Sequence, residues 1–192
     1  MQFLRHNFPQ TQIYARWGLA QIYLFQNDLV NARSTIEAAL QYDVPQNNHN
    51  ASALHGIIAL RQGERETAQE AFTKSIAQAD EILAKTPDYY SALDAKGLAL
   101  CGLALCARDD GPSTVDGGRG AVPAPDANHT SNTGRGDPAP TVDDAIETFR
   151  KARKIAPHAG VVKSVLRLFD ELAKCDKEGI LKDVRIAVEG KE

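Results

Sequence analysis

An all-α fold of stacked antiparallel helix pairs is the class this sequence predicts, and three observations carry it. Val, Ile and Thr never alternate with polar residues over the length of a strand. Every well-patterned stretch instead places its apolar residues three and four apart, along one face of a helix. A two-helix unit with the same internal spacing then recurs along the chain.

The first helix is expected from about Thr11 to Phe25, with Ile13, Trp17, Ala20 and Leu24 as its stripe and Tyr14 beside it. Gln26-Asn27-Asp28 is a polar turn in which Asn27 or Asp28 can cap the next helix. That helix carries Leu29, Ala32, Ile36, Ala39 and Leu40, and Pro45 with Asn47-Asn48-His49-Asn50 ends it. A third helix, Ala51 to Arg61, bears Leu54, Ile57, Ile58 and Ala59. After the tight Gln62-Gly63 turn, a longer helix from Glu64 to about Lys85 carries Ala68, Phe72, Ile76, Ala79 and Leu83. Thr86-Pro87-Asp88 reads as a cap followed by proline at the first helical position, where its missing N–H is not needed. The helix from Asp88 to about Ala107 is rich in Ala and Gly, which allow close approach, so it is expected at the centre of the fold. Asp109 to Pro140 holds 11 of the 23 Gly and Pro residues, with Val115 and Val122 as its only large apolar side chains. Such a stretch cannot bury enough surface to offset its ordering entropy, and a disordered loop is expected over 109–140. Thr141-Val142-Asp143-Asp144 resembles a capping box and opens a helix with Ala145, Ile146, Phe149 and Ala152 that stops before Pro157. Ala159 to about Lys174 follows, then a break at Asp176–Gly179 and a last helix with Ile180, Leu181, Val184, Ala187 and Val188.

Composition bounds the function. The 192 residues are 43% hydrophobic and 24% charged, ordinary globular values, with a net charge of −3. No Lys/Arg cluster builds the basic face that nucleic acid would need. Charges or glycines interrupt the apolar runs before the ~20 residues of a membrane span, so no membrane partner is expected. Met1 to Gln12 has no apolar signal-peptide core. Three cysteines (Cys101, Cys106 and Cys175) at unremarkable spacing suit free thiols in a reducing compartment, and the cytoplasm is the expected location.

Aligning the helix pairs exposes the repeated unit. Ala20 to Ala32 and Gly56 to Ala68 are both separations of 12 residues, and the first two units are offset by 36. A small residue, a large apolar four later and a small residue seven later recur as Ala32, Ile36, Ala39; Ala68, Phe72, Ser75; and Ala145, Phe149, Ala152. Pro157 follows Ala145 by 12. Together with Trp17-Gly18-Leu19-Ala20-Gln21-Ile22-Tyr23, this pattern resembles the tetratricopeptide repeat over about residues 13 to 157, the loop excluded. The Trp stands one place late, Ala59 replaces a usual aromatic, and the loop splits the third unit. The resemblance implies an α-α superhelix, a right-handed solenoid of about seven or eight helices, in one domain over 1–192. Helices in 158–192, which lack the signature, would cap it. It further implies a concave groove lined by the first helices, with Tyr14, Trp17, Gln21, Asn50, Ala53, Ile57, Asp94 and Leu98 facing a partner. Family members that clamp a C-terminal carboxylate use Lys, Arg and Asn there, and Trp17, Gln21 and Ala53 do not supply them.

No catalytic constellation accompanies this pattern. Cys101 and Cys106 lie five apart, whereas metal ligands sharing a helix face lie three or four apart, so no metal and no cofactor are expected. The pairs Asp109-Asp110, Asp143-Asp144 and Asp170-Glu171 are adjacent and point different ways. Gly117-Gly118-Arg119-Gly120 follows no strand and lacks the lysine of a phosphate loop. Asn128-His129-Thr130 and Arg135-Gly136-Asp137 are short enough to arise by chance. The expected function is a non-catalytic protein–protein interaction module, a scaffold or adaptor holding a peptide or partner helix in its groove. The alternative is a C-terminal regulatory or sensor arm of a larger signalling protein, such as a bacterial nucleotide-switch ATPase or transcription regulator, with Met1 to Gln10 as the remnant of a preceding element.

Overall fold

The computed structural model describes residues 9–108 and 141–191, so the loop expected over 109–140, its two short motifs and its double aspartate lie outside the described residues. The described chain is all-helical. Its elements are α1 (Pro9–Phe25), α2 (Leu29–Leu40), α3 (Asn48–Arg61), α4 (Arg65–Leu83), α5 (Tyr90–Arg108), α6 (Val142–Ile155), α7 (Ala159–Ala173) and α8 (Lys182–Glu189), with no strand among the described residues.

Local chemistry sets the helix ends. The Asp28 carboxylate accepts the Asn31 N–H and caps α2, while Asn27 turns the chain with φ 61°. Gly63 sits at φ 81° between α3 and α4, a conformation in which a Cβ is strained. Thr141 and Asp144 form a reciprocal capping box at the start of α6. Two boundaries differ from the sequence reading. Helix α3 begins at Asn48, inside the stretch expected to end its predecessor, because the asparagines bond along the chain. Asn48 Oδ1 accepts the Val44 N–H at 2.9 Å, and Asn50 Nδ2 donates to Asn47 Oδ1 at 3.1 Å. Helix α5 begins at Tyr90 and not at Asp88. Thr86 to Tyr89 close a turn through a 3.1 Å bond from the Tyr89 N–H to the Thr86 carbonyl, so Pro87 serves the turn and not the helix.

Helices pair as α1 with α2, α3 with α4, and α5 with α6; α2 also packs on α3, and α4 on α5. Helices α1, α3 and α5 touch in series and make one row. The last step is different. Helix α7 packs on α3 and α5 as well as on α8, and it is α8 that packs on α6. The middle of the row is therefore enclosed. Helix α5 is long and apolar enough to cross a membrane by length and composition alone, yet α3, α4, α6 and α7 bury most of it. A helix that is apolar all round is a core helix when neighbours surround it.

The residue sets that share one spacing occupy the core. Ala32, Ile36 and Ala39, Ala68, Phe72 and Ser75, and Ala145, Phe149 and Ala152 are all 0% exposed. Two of the three large members interlock with glycines of the neighbouring helices. A Cβ on Gly56 of α3 would stand 2.5 Å from the Phe72 ring, and one on Gly102 of α5 would overlap the same ring from another side. The ring is held between two backbones and cannot yield. Gly18 of α1, in contrast, has nothing within 4 Å of such a Cβ. Helix propensity favours alanine over glycine by ~1 kcal/mol at both positions. Overpacking costs ~1–3 kcal/mol, so it opposes that gain at Gly102 alone. Gly18→Ala should raise stability by up to ~1 kcal/mol and Gly102→Ala should lower it, in urea melts run side by side. Equal shifts in the two variants would show that the ring contact is not restrictive.

Candidate binding face on the row of first helices

The residues expected to face a partner divide into two groups. Tyr14 on α1 is 49% exposed, and Trp17, Gln21 and Asn50 are half-buried. Ala53, Ile57, Asp94 and Leu98 are 3, 0, 5 and 3% exposed, so they are core residues in this structure. Arg153 of α6 covers Asp94, and α3 and α5, which carry the other three, pack on each other, on α4 and on α7. Helix α7 presents Val165, Leu168, Phe169 and Leu172 as buried residues and leaves Lys163, Ser164 and Arg167 exposed.

The accessible group extends into an aromatic and amide cluster at the start of α5. Tyr90 is 39% exposed, and the Tyr89 and Tyr90 rings lie 6.4 Å apart. Burial raises the Tyr89 hydroxyl above its ordinary range, and the nearby hydroxyls of Tyr14 and Tyr90 add to the rise, which places all three tyrosines within electrostatic reach. Asn50 Nδ2 donates to Ser91 Oγ at 3.0 Å, tying α3 to the same corner. Beneath them lies His49, fully buried, its ring edge-on to Tyr89 at 6.1 Å. Desolvation lowers its pKa to about 4, so the imidazole is neutral at neutral pH. A hollow of about 620 Å³ opens beside Tyr89, walled by Asn48, Gln78, Glu81, Ile82 and Lys85. The Trp17 indole N–H and the Gln21 amide nitrogen are buried with no hydrogen-bond acceptor among the described residues.

Two buried ion pairs lock the enclosed part. Asp94 on α5 meets Arg153 on α6, with both side chains below a tenth exposed. Burial raises the Asp94 carboxyl to about 6 against the pull of the Arg153 guanidinium. Arg61 at the end of α3 meets Glu171 on α7, and Arg61 Nη2 also donates to Asn27 Oδ1 at 2.5 Å. Arg167 of α7 stands over the Phe25 ring at the end of α1, 3.9 Å from its centroid. Helix α7 thus contacts all three helices of the row.

Elsewhere a trough of about 770 Å³ runs between α4, α5 and α6, floored by Ile76, Leu93 and Leu103. Three of its charged groups are engaged locally: Lys96 bonds Asp80 at 2.6 Å, and bonds from Thr141 hold Asp144 below the usual carboxylate range. Cys101 and Cys106 are buried in α5, and desolvation pushes the Cys101 thiol up, away from the reactive thiolate. Tyr89, Tyr90 and Arg61 carry no role in the sequence reading, and Glu171 enters it only as half of an adjacent acidic pair. A Tyr-Tyr pair directly after a Pro-Asp turn was the one available signal. No protein-family model, curated protein or solved structure matches the chain.

Proposed function

We propose that this chain is a non-catalytic interaction module of the tetratricopeptide kind, a superhelical scaffold that binds a peptide or helix of a partner protein along the row α1, α3 and α5. The observation that carries the reading is the cluster of Tyr14, Tyr89, Tyr90, Asn50 and Ser91 on that row. Tyrosine and asparagine on rigid elements suit protein recognition: the rings bring large contact area at low entropic cost, and the amides adapt their hydrogen bonds. The repeated small–large–small register, buried in each of three helix pairs, supports the superhelical reading. The carboxylates and thiols of the core are engaged or sealed, which supports binding over catalysis, and no cofactor enters this reading. Three free thiols are consistent with a reducing, cytoplasmic setting.

The test is affinity capture with the wild-type chain and with Tyr14→Ala/Tyr90→Ala, both checked by circular dichroism. The exposed tyrosines can be changed without touching the core; fully buried Ile57 cannot. An aromatic hot spot is worth ~2 kcal/mol or more, so the double variant should bind the captured partner at least tenfold more weakly. A partner held equally by both proteins would remove this face from consideration.

A further inference from the structure

We infer that α7 occupies, within the chain, the place that an amphipathic helix of a partner takes, and that α7 therefore gates the α3–α5 part of the binding face. The inference rests on the binding reading above and names both its ligand class and its regulation.

Three features of α7 point this way. It packs on first helices from two different pairs, α3 and α5, as a ligand lying along the row would. Its buried residues Val165, Leu168, Phe169 and Leu172 follow the i, i+3, i+4, i+7 spacing by which a helix seats in an apolar groove. Its register is set by polar contacts on two helices, Glu171 to Arg61 and Arg167 over Phe25. A buried ion pair adds little net stability over an apolar contact, but it discriminates sharply between right and wrong partners. Breaks bound α7 on both sides. Pro157 precedes it, and the turn after it is held by the Asp176 carboxylate, which accepts the N–H groups of Gly179 at 2.8 Å and Leu181 at 2.9 Å, with Gly179 at φ 76°.

Undocking α7 exposes its own apolar stripe together with the surfaces of α3 and α5 on which it packs. Only a ligand that buries a comparable stripe can replace it, so short extended peptides are excluded. The partner segment is a helix of three to four turns with α7's apolar spacing and an acid immediately before the last apolar residue, where Glu171 precedes Leu172.

The experiment uses the full chain and a fluorescent peptide with the sequence of residues 159–174, read by anisotropy. In Glu171→Lys, a second cation faces Arg61 and weakens the internal docking. The labelled peptide should bind this variant at least tenfold more tightly than it binds wild type. An Arg61→Glu chain should reverse the preference, taking the peptide that carries Glu171→Lys over the native one. Absence of peptide binding to a folded Glu171→Lys chain would overturn the inference, because α7 would then be a fixed part of the core. If Glu171→Lys does not fold, amide exchange of the wild type decides. Protection in α7 well below that in α5 supports independent opening, and equal protection overturns it. Loss of this inference leaves the tyrosine face standing, since Tyr14→Ala/Tyr90→Ala tests that face with α7 in place.

Discussion

Phe149→Ala is expected to lower folding stability by ~3–5 kcal/mol, the range for deleting a fully buried aromatic ring. Phe149 is 0% exposed and lies in the seam between α6 and α5. Its ring sits where a Cβ on Gly97 of α5 would come within 2.7 Å, so the backbone of α5 already approaches it as closely as a helix can. That closeness makes the cavity hard to collapse, because α5 is also held by α3, α4 and α7 and cannot slide into the space. A domain of this size has ~5–15 kcal/mol in total, so the variant should show a much lower urea midpoint with its slope retained. Glu147→Ala, on the exposed side of α6, should fall within ~0.5 kcal/mol of wild type. A loss of only a few tenths for Phe149→Ala would mean that the ring is not in the seam.

The same residues show how much of the fold was legible. Phe72 and Phe149 each stand four residues after a small one, and helical periodicity is a local signal that needs no knowledge of the partner surface. The Thr141–Asp144 box and the Asp28 cap were equally local. The sequence pattern starts α3 three residues late because Asn reads as a helix breaker, whereas Asn48 and Asn50 use their side chains to bond the turn that precedes them. The path of α7 was not legible. Its amphipathic stripe announces that it is buried, but nothing in its own residues says which surface it meets. Asp94 and Arg153 stand 59 residues apart, and only the packing of α5 on α6 joins them. Four of the eight expected face residues are buried by neighbouring helices, Asp94 through Arg153 of α6, while Tyr89 and Tyr90 gain their place from a turn that the sequence pattern presents as a helix start.

Arg153→Met should be the second severe substitution, and its cost should depend on pH. Methionine preserves the aliphatic stem, which packs beneath Gly190 with Cγ 3.4 Å from where a Cβ would stand, and removes only the charge. Asp94 is then left buried without its cation, a situation that typically costs ~3–5 kcal/mol. Burial already raises the Asp94 carboxyl from its ordinary 3.8 to about 6 with Arg153 present, so its removal must raise it further. A carboxyl raised in this way binds its proton more tightly in the folded state than in the unfolded one. Its contribution to stability is complete below the unfolded value near 4 and is lost as the pH rises through the folded value. The wild type undergoes this loss between about pH 4 and 6, whereas the variant continues to lose stability above that window. Denaturation at pH 8 and at pH 5 should therefore give a large penalty for Arg153→Met in the first case and a much smaller one in the second. The double variant Arg153→Met/Asp94→Leu, which has no charge left to bury, should recover most of the loss and lose the pH dependence. A penalty that is the same at both pH values would mean that the cost of Arg153→Met lies in packing, and that the Asp94–Arg153 pair is not what fastens α6 to the centre of the row.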